Sequence, residues 1–197
     1  MAMLFSDLLQ KGARKGHLPA KNKGSRDWFR GRARRLQMNG SPLRNEENKE
    51  MLTNNLEVGN MYMFYYDPKT KESLPYYDTF PLIFPIDETS KGFTGINMHY
   101  LPPQLRAKLM DSLYTLASDR RFDSNTRLNI SYNVLNKAAR YKYFRPCIKQ
   151  YLKNHVKSRF LKVNPSEWDV ALFLKTEQFQ KAGTGTVWAD SRKQMKK

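Results

Sequence analysis

The sequence predicts an α+β fold: a small bent antiparallel sheet or partial barrel, packed by two to three helices, with an extended basic N-terminal arm. Three observations predict it. Aromatic and branched runs, cut by Pro, Gly and Asp, fill residues 59–101. Amphipathic segments follow that stretch. A segment rich in Gly, Pro, Lys and Arg precedes it.

The arm covers residues 1–56. Leu4, Phe5, Leu8 and Leu9 share one face of a short helix. Isolated helices of that length are marginal in water, so the face requires a docking site on this chain or another. Residues 11–24 lack periodicity and read as a flexible basic linker. Residues 25–37 resume a helical pattern, with Ser25 as cap and Asp27 against the positive end of the dipole. Arg26, Arg30 and Arg34 form one ridge, with Arg35 beside it. Trp28, Phe29 and Leu36 supply apolar contact. Arginine suits phosphate geometry; a solvated basic face fits the same spacing. Asn39-Gly40-Ser41-Pro42 is a turn, and residues 43–56 are a connector of mixed charge.

The core domain covers residues 57–182. Its strands are Met61–Tyr66, Tyr76–Ile86 and Phe93–Leu101. In the first, Met61, Met63 and Tyr65 face one side and Tyr62, Phe64 and Tyr66 the other. Both faces are large and partly apolar, so both need cover. Leu105, Leu109, Leu113 and Leu116 predict a helix over 103–117. A polar loop at 118–127 leads to a second helix over 131–140, with Val134, Leu135, Ala138 and Ala139 inward. A third helix is predicted over 146–160. Its inward stripe is Ile148, Tyr151, Leu152, His155 and Val156; its outward stripe is Lys149, Lys153 and Lys157. Lys142, Arg145 and Arg159 lie near that stripe, which fits a phosphate-facing ridge or a solubilising face equally. Residues 161–163 and 168–174 read as strands rejoining the sheet, and Thr176–Lys181 as a short helical turn. Residues 183–197 read as a loosened basic tail.

Lys and Arg outnumber Asp and Glu by 35 to 18, a net charge of +17 over 197 residues. Such an excess implies an anionic partner, foremost nucleic acid, or acidic neighbours in a large assembly. The candidate nucleic-acid-binding residues are Arg26, Arg30, Arg34, Arg35, Lys142, Arg145, Lys149, Lys153, Lys157 and Arg159. The single cysteine, Cys147, excludes an intrachain disulfide and fits a reducing compartment. No apolar run reaches the roughly 20 residues needed to span a bilayer. Met1–Phe5 is too short for a signal-peptide core. The expectation is a soluble protein made in the cytoplasm.

Catalytic signals are weak. Of the three histidines, His17 lies in the arm and His155 on an inward stripe. His99 has Asn97 and Tyr100 as neighbours, with Asp67 or Asp78 as possible partners. That set fits acid–base work, but a core hydrogen-bond network is the commoner outcome. Asp78, Asp87, Glu88 and Lys91 are close in sequence, but turn residues are commonly acidic, so they are only a weak signal of a metal-dependent nuclease. Zinc spacing and a phosphate-binding glycine loop are absent, so no metal or cofactor is expected. Cys147 at a helix start invites a lowered pKa, but it has no evident partner and is expected to pack.

Four blocks carry a resemblance: GNMYMFYYDPKTKESLPYYDTFPLIFPI, GFTGINMHYLPPQLRAKLMDSLY, FRPCIKQYLKNHVKSRF and EWDVALFLKTEQFQKA. Through them the chain resembles a family of small virion or assembly proteins of T-even-type tailed bacteriophages and related marine myoviruses. The resemblance implies a head, neck or tail protein; a DNA-end-binding head-completion protein and a neck or baseplate component both fit. It maps no catalytic residue. The leading expectation is a non-enzymatic structural protein in the virion, contacting DNA independently of sequence through basic ridges. Its other partners are virion proteins in a symmetric multi-subunit assembly, with no membrane. The alternatives are a tail component that binds only virion proteins, and a DNA-processing enzyme built on His99.

Overall fold

Alternation along Met61–Tyr66 sets the architecture. In the computed structural model, which describes residues 50–106, 124–140 and 142–196 with residues 11, 13–16, 24 and 109, this run is the middle of a six-stranded sheet. The strands are β1 (Leu52–Thr53), β2 (Met61–Met63), β4 (Leu82–Glu88), β5 (Gly92–Asn97), β6 (Ile148–Leu152) and β7 (Phe160–Val163). Their order is β1-β7-β2-β4-β5-β6, and every pairing is antiparallel. A separate two-stranded sheet joins β3 (Tyr77–Asp78) to β8 (Phe179–Gln180). The predicted α+β class therefore holds. The sheet curls where Tyr66 bridges Val156 and the Lys157 N–H donates to the Tyr65 carbonyl at 2.8 Å, but no barrel closes.

Pro85 sits inside β4, which is flanked on both sides. Proline offers no N–H to a ladder, and the register shift between Pro85 and Asp87 absorbs that loss as a bulge. Gly95 lies opposite Pro85.

Both sheet faces are covered, as the alternation requires. Met61 and Met63 join Leu82, Phe84 and Ile96 in the larger core. Helices α1 (Ser124–Arg140), α2 (Trp168–Ala171) and α3 (Thr184–Lys196) contribute to its cover. Leu135 and Ala138 are buried and Val134 and Ala139 half-buried, matching the inward set expected of that helix. On the opposite face Tyr62, Phe64, Tyr66, Ile83, Phe93, Tyr151 and Phe160 form a second core. Phe64 is its centre, with edge contacts to Phe160 at 5.2 Å, Tyr151 at 5.4 Å and Phe93 at 5.7 Å. Each fully buried Phe contributes about 1.5–3 kcal/mol, so this cluster is a principal source of stability.

Several expected elements differ. Residues 146–160 are not a helix. Lys142–Cys147 is a 3-10 segment containing Pro146, Ile148–Leu152 is strand β6, and Lys153–His155 is a 3-10 turn. The edge of β5 supplies five pairing positions, Gly92↔Leu152 to Ile96↔Ile148, and Tyr151 stacks on Phe93 at 5.2 Å. That non-local pairing overrides the local four-residue stride. Trp168–Ala171 is helical rather than extended; a continuous apolar run carries no periodicity to distinguish the two. Phe179–Gln180 is a strand, not a helical turn, because Tyr77–Asp78 is its partner.

The predicted tail is helix α3, which buries Val187, Ser191 and Met195 at steps of four. The Gly183 carbonyl accepts its first bonds, from the N–H groups of Thr186 and Val187. The second predicted helix begins earlier than expected, at Ser124. Residues 103–106 and 109 are helical, and the rest of the predicted 103–117 helix lies outside the described residues. Leu52–Thr53, within the segment read as the arm, is an edge strand. No described helix is long and apolar enough to cross a membrane.

Candidate functional site

A cleft of about 660 Å³ opens between β6 and the loop from Tyr66 to Tyr77. Tyrosines dominate its walls: Tyr66, Tyr76, Tyr77, Tyr100 and Tyr151. The loop is fixed at its base, where the Asp67 N–H donates to the His155 carbonyl at 3.1 Å. The Tyr66 hydroxyl accepts from the Leu152 N–H at 3.1 Å, tying the loop to β6. The turn at its tip is held by the Lys181 ammonium, which donates to the carbonyls of Lys71, Glu72 and Leu74 at 2.7, 2.9 and 3.3 Å.

The cleft carries positive charge. Lys149 is half-buried, its ammonium 4.0 Å from the centre of the Tyr100 ring. Burial holds its pKa below the usual lysine value. Lys69 is exposed on the opposite wall. Among the described residues neither forms a salt bridge. Lys71 pairs with Asp67 at 3.0 Å, and this contact holds the Asp67 carboxyl below its ordinary range.

Behind the cleft lies the network around His99. Its Nδ1 is 2.7 Å from Asp78 Oδ2 and its Nε2 2.8 Å from Thr176 Oγ1. Asn97 Nδ2 donates to Asp78 Oδ2 and to the Tyr151 hydroxyl, each at 3.0 Å. The Asn97 side chain also accepts from the His99 N–H at 2.9 Å. Burial would raise the Asp78 pKa, but the His99 imidazole and hydrogen bonds from His99, Asn97 and the Phe80 N–H outweigh it and hold it low. His99 is fully buried, so this is the core network anticipated for it. It braces the wall of the cleft through Tyr151. Of the two partners considered, the fold selects Asp78 and sends Asp67 to Lys71.

Lys149, Lys153 and Lys157 do not form the stripe expected of a helix. Lys149 lies on β6, facing the cleft. Lys153 is in the following 3-10 turn, paired with Glu88 at 2.7 Å. Lys157 is exposed beyond the bridge at Val156. Arg145 is exposed in the 3-10 segment that Lys142 opens. Arg159 is exposed and donates to the Leu52 carbonyl. A helix would have stacked the three lysines; strand and turn geometry disperse them. Arg26, Arg30, Arg34 and Arg35 lie outside the described residues. Cys147 is buried, its thiol donating to the Phe144 carbonyl at 2.8 Å, and burial pushes its pKa up to about 12. Among the described residues no group of three or more His, Cys, Asp or Glu is placed to hold a metal ion.

Residues 5–192 match the family described as the phage T4 terminal DNA protecting protein. The chain belongs to that family. The match covers most of the arm, the sheet and the first two-thirds of α3, so the cleft and the candidate basic residues fall inside the terminal DNA protecting protein family region. It supports a T4-type phage protein of DNA ends. No curated protein and no solved structure matches the chain.

Sequence reasoning missed the tyrosine cleft. Its signal was present in YYDPKTKESLPYYD, where two tyrosine pairs flank a lysine-bearing turn.

Proposed function

We propose that this protein caps the ends of phage DNA without chemical catalysis, binding independently of sequence and travelling in the virion with other virion proteins. The observation that carries the reading is the family match over 5–192, combined with a net charge of +17. Protecting a terminus requires occupying it, and a strongly cationic chain does so through the phosphates common to every sequence. Arg26, Arg30, Arg34 and Arg35 of the arm, with Lys142, Arg145, Lys157 and Arg159 of the body, are the proposed backbone contacts. Lys153 contributes less, because its charge already meets Glu88.

A filter-binding titration of linear duplex DNA over a range of salt tests this. The eight proposed phosphate contacts give a log–log slope of roughly −7. Changing Arg26, Arg30 and Arg34 to Gln flattens that slope by about 3. A shallow slope that ignores these changes would sink the phosphate-binding reading.

A further inference from the structure

We propose that the tyrosine cleft beside β6 is the receptor for the terminal nucleotide of the DNA, holding its phosphate on Lys149 and Lys69 and its base against Tyr76 and Tyr77. The inference rests on the end-binding reading and adds the site that would tell an end from the middle of a duplex.

The chemistry of the cleft selects this occupant. Its volume, about 660 Å³, is within the range of roughly 300–1,000 Å³ typical of sites for small ligands. That is ample for one nucleotide and far too little for a double helix. Tyrosine rings hold bases by stacking, which needs an open π-face. Inside a duplex both faces of every base are covered by neighbours. Only a terminal base has a face free, and separating it from its single neighbour costs least. An aromatic receptor on a basic protein is thus selective for ends without reading any sequence. Tyr76 and Tyr77 line the cleft and are half-buried, and the Tyr76 ring is braced by Tyr100 at 6.1 Å and Phe179 at 6.5 Å.

Charge completes the fit. Lys149 is a partly desolvated ammonium with a tyrosine face on one side and no carboxylate in salt-bridge range among the described residues. A phosphate would supply the missing counter-charge. Lys69 approaches from the opposite wall. Two carboxylates are near: Asp67 is neutralised by Lys71, and Asp78 is engaged with His99 and Asn97. The cleft therefore presents cations whose charge is not already balanced. The phosphate is either the 5′ group of the end or the first internucleotide phosphate; both present the same oxygens.

The test compares a short blunt linear duplex with a minicircle of the same sequence, measuring the affinity of the full chain for each. Wild type is expected to prefer the linear form. Tyr76→Ala is expected to lower the linear-to-minicircle affinity ratio by about tenfold, the scale of one lost base stack, and Lys149→Met to lower the same ratio by removing the phosphate contact. Should either variant fail to fold, Lys69→Gln, at an exposed position, and Tyr77→Ala are read the same way. Retention of the full ratio by all folded variants would overturn the receptor while leaving end binding intact. A wild-type ratio near one would instead overturn end binding itself. A linear duplex lacking its 5′-phosphate separates the two phosphate sources: a fall in the ratio assigns the 5′ group, and an unchanged ratio assigns the internucleotide phosphate.

Discussion

Asp78→Asn is an incisive perturbation of the core, because it preserves shape and changes only charge and one hydrogen-bonding direction. Asp78 Oδ1 accepts from the Phe80 N–H at 3.1 Å and the Gln178 N–H at 3.4 Å, and an asparagine oxygen can keep both. The other oxygen accepts from Asn97 and lies 2.7 Å from His99 Nδ1; in the variant an amide donor stands there. His99 can adapt by moving its proton to Nε2, which then donates to the Thr176 hydroxyl. Asn97 cannot adapt, because flipping its amide would break its bond from the His99 N–H. One buried donor is left unpaired, at about 1–3 kcal/mol, and a charge-assisted bond is lost, at about 1 kcal/mol more. The expected destabilisation is about 2–4 kcal/mol. Urea denaturation followed by circular dichroism measures it.

The pH dependence supplies a second reading of the same variant. The Asp78 pKa is lowered on folding, so its contribution is present above the ordinary carboxylate range and lost as pH falls through the lower folded value. The gap between wild type and variant should narrow below about pH 4. A gap under about 1 kcal/mol at neutral pH, or one that does not change with acid, would refute the proposed hub.

Two further substitutions probe how the cleft is supported. Arg106 is buried and donates to the carbonyls of Leu101, Leu172 and His99 at 2.7, 2.9 and 3.2 Å, while Trp188 covers its guanidinium. Arg106→Met should cost about 3–5 kcal/mol and lower Tm by about 6–20 °C in a thermal melt. At Gly92 an added Cβ would overlap the Tyr151 carbonyl across the β5–β6 pair. Gly92→Ala should destabilise by about 1–3 kcal/mol and speed amide exchange along β6 ahead of β2.

The parts of the fold legible in the sequence were those decided locally. Met61–Tyr66 alternates with period two, and its two faces meet the two cores it anticipated. Leu135 and Ala138 followed a helical stride and are buried. The β6 segment misled because its lysines fall at helical spacing, while its conformation is set by β5, more than 50 residues earlier in the chain. The WDVALFL run misled for the opposite reason, having no period at all. The cleft needed three distant segments, around Tyr66–Tyr77, Tyr100 and Lys149–Tyr151, to be assembled first. His99 was legible as a network residue because a buried imidazole must find partners, and only its choice of Asp78 awaited the fold.

End occupancy is tested most directly by a nuclease protection assay with an exonuclease that enters only at termini. Linear duplexes of equal total mass but different lengths are incubated with increasing amounts of the protein before digestion. At equal total mass, the account predicts that the protein required for full protection rises in proportion to the number of ends, and so falls as the duplexes lengthen. It also predicts that an endonuclease cutting the same DNA internally is not inhibited at that dose. Protection that scales with total length, or that blocks both nucleases equally, would show general coating of the duplex and contradict the assignment to DNA ends.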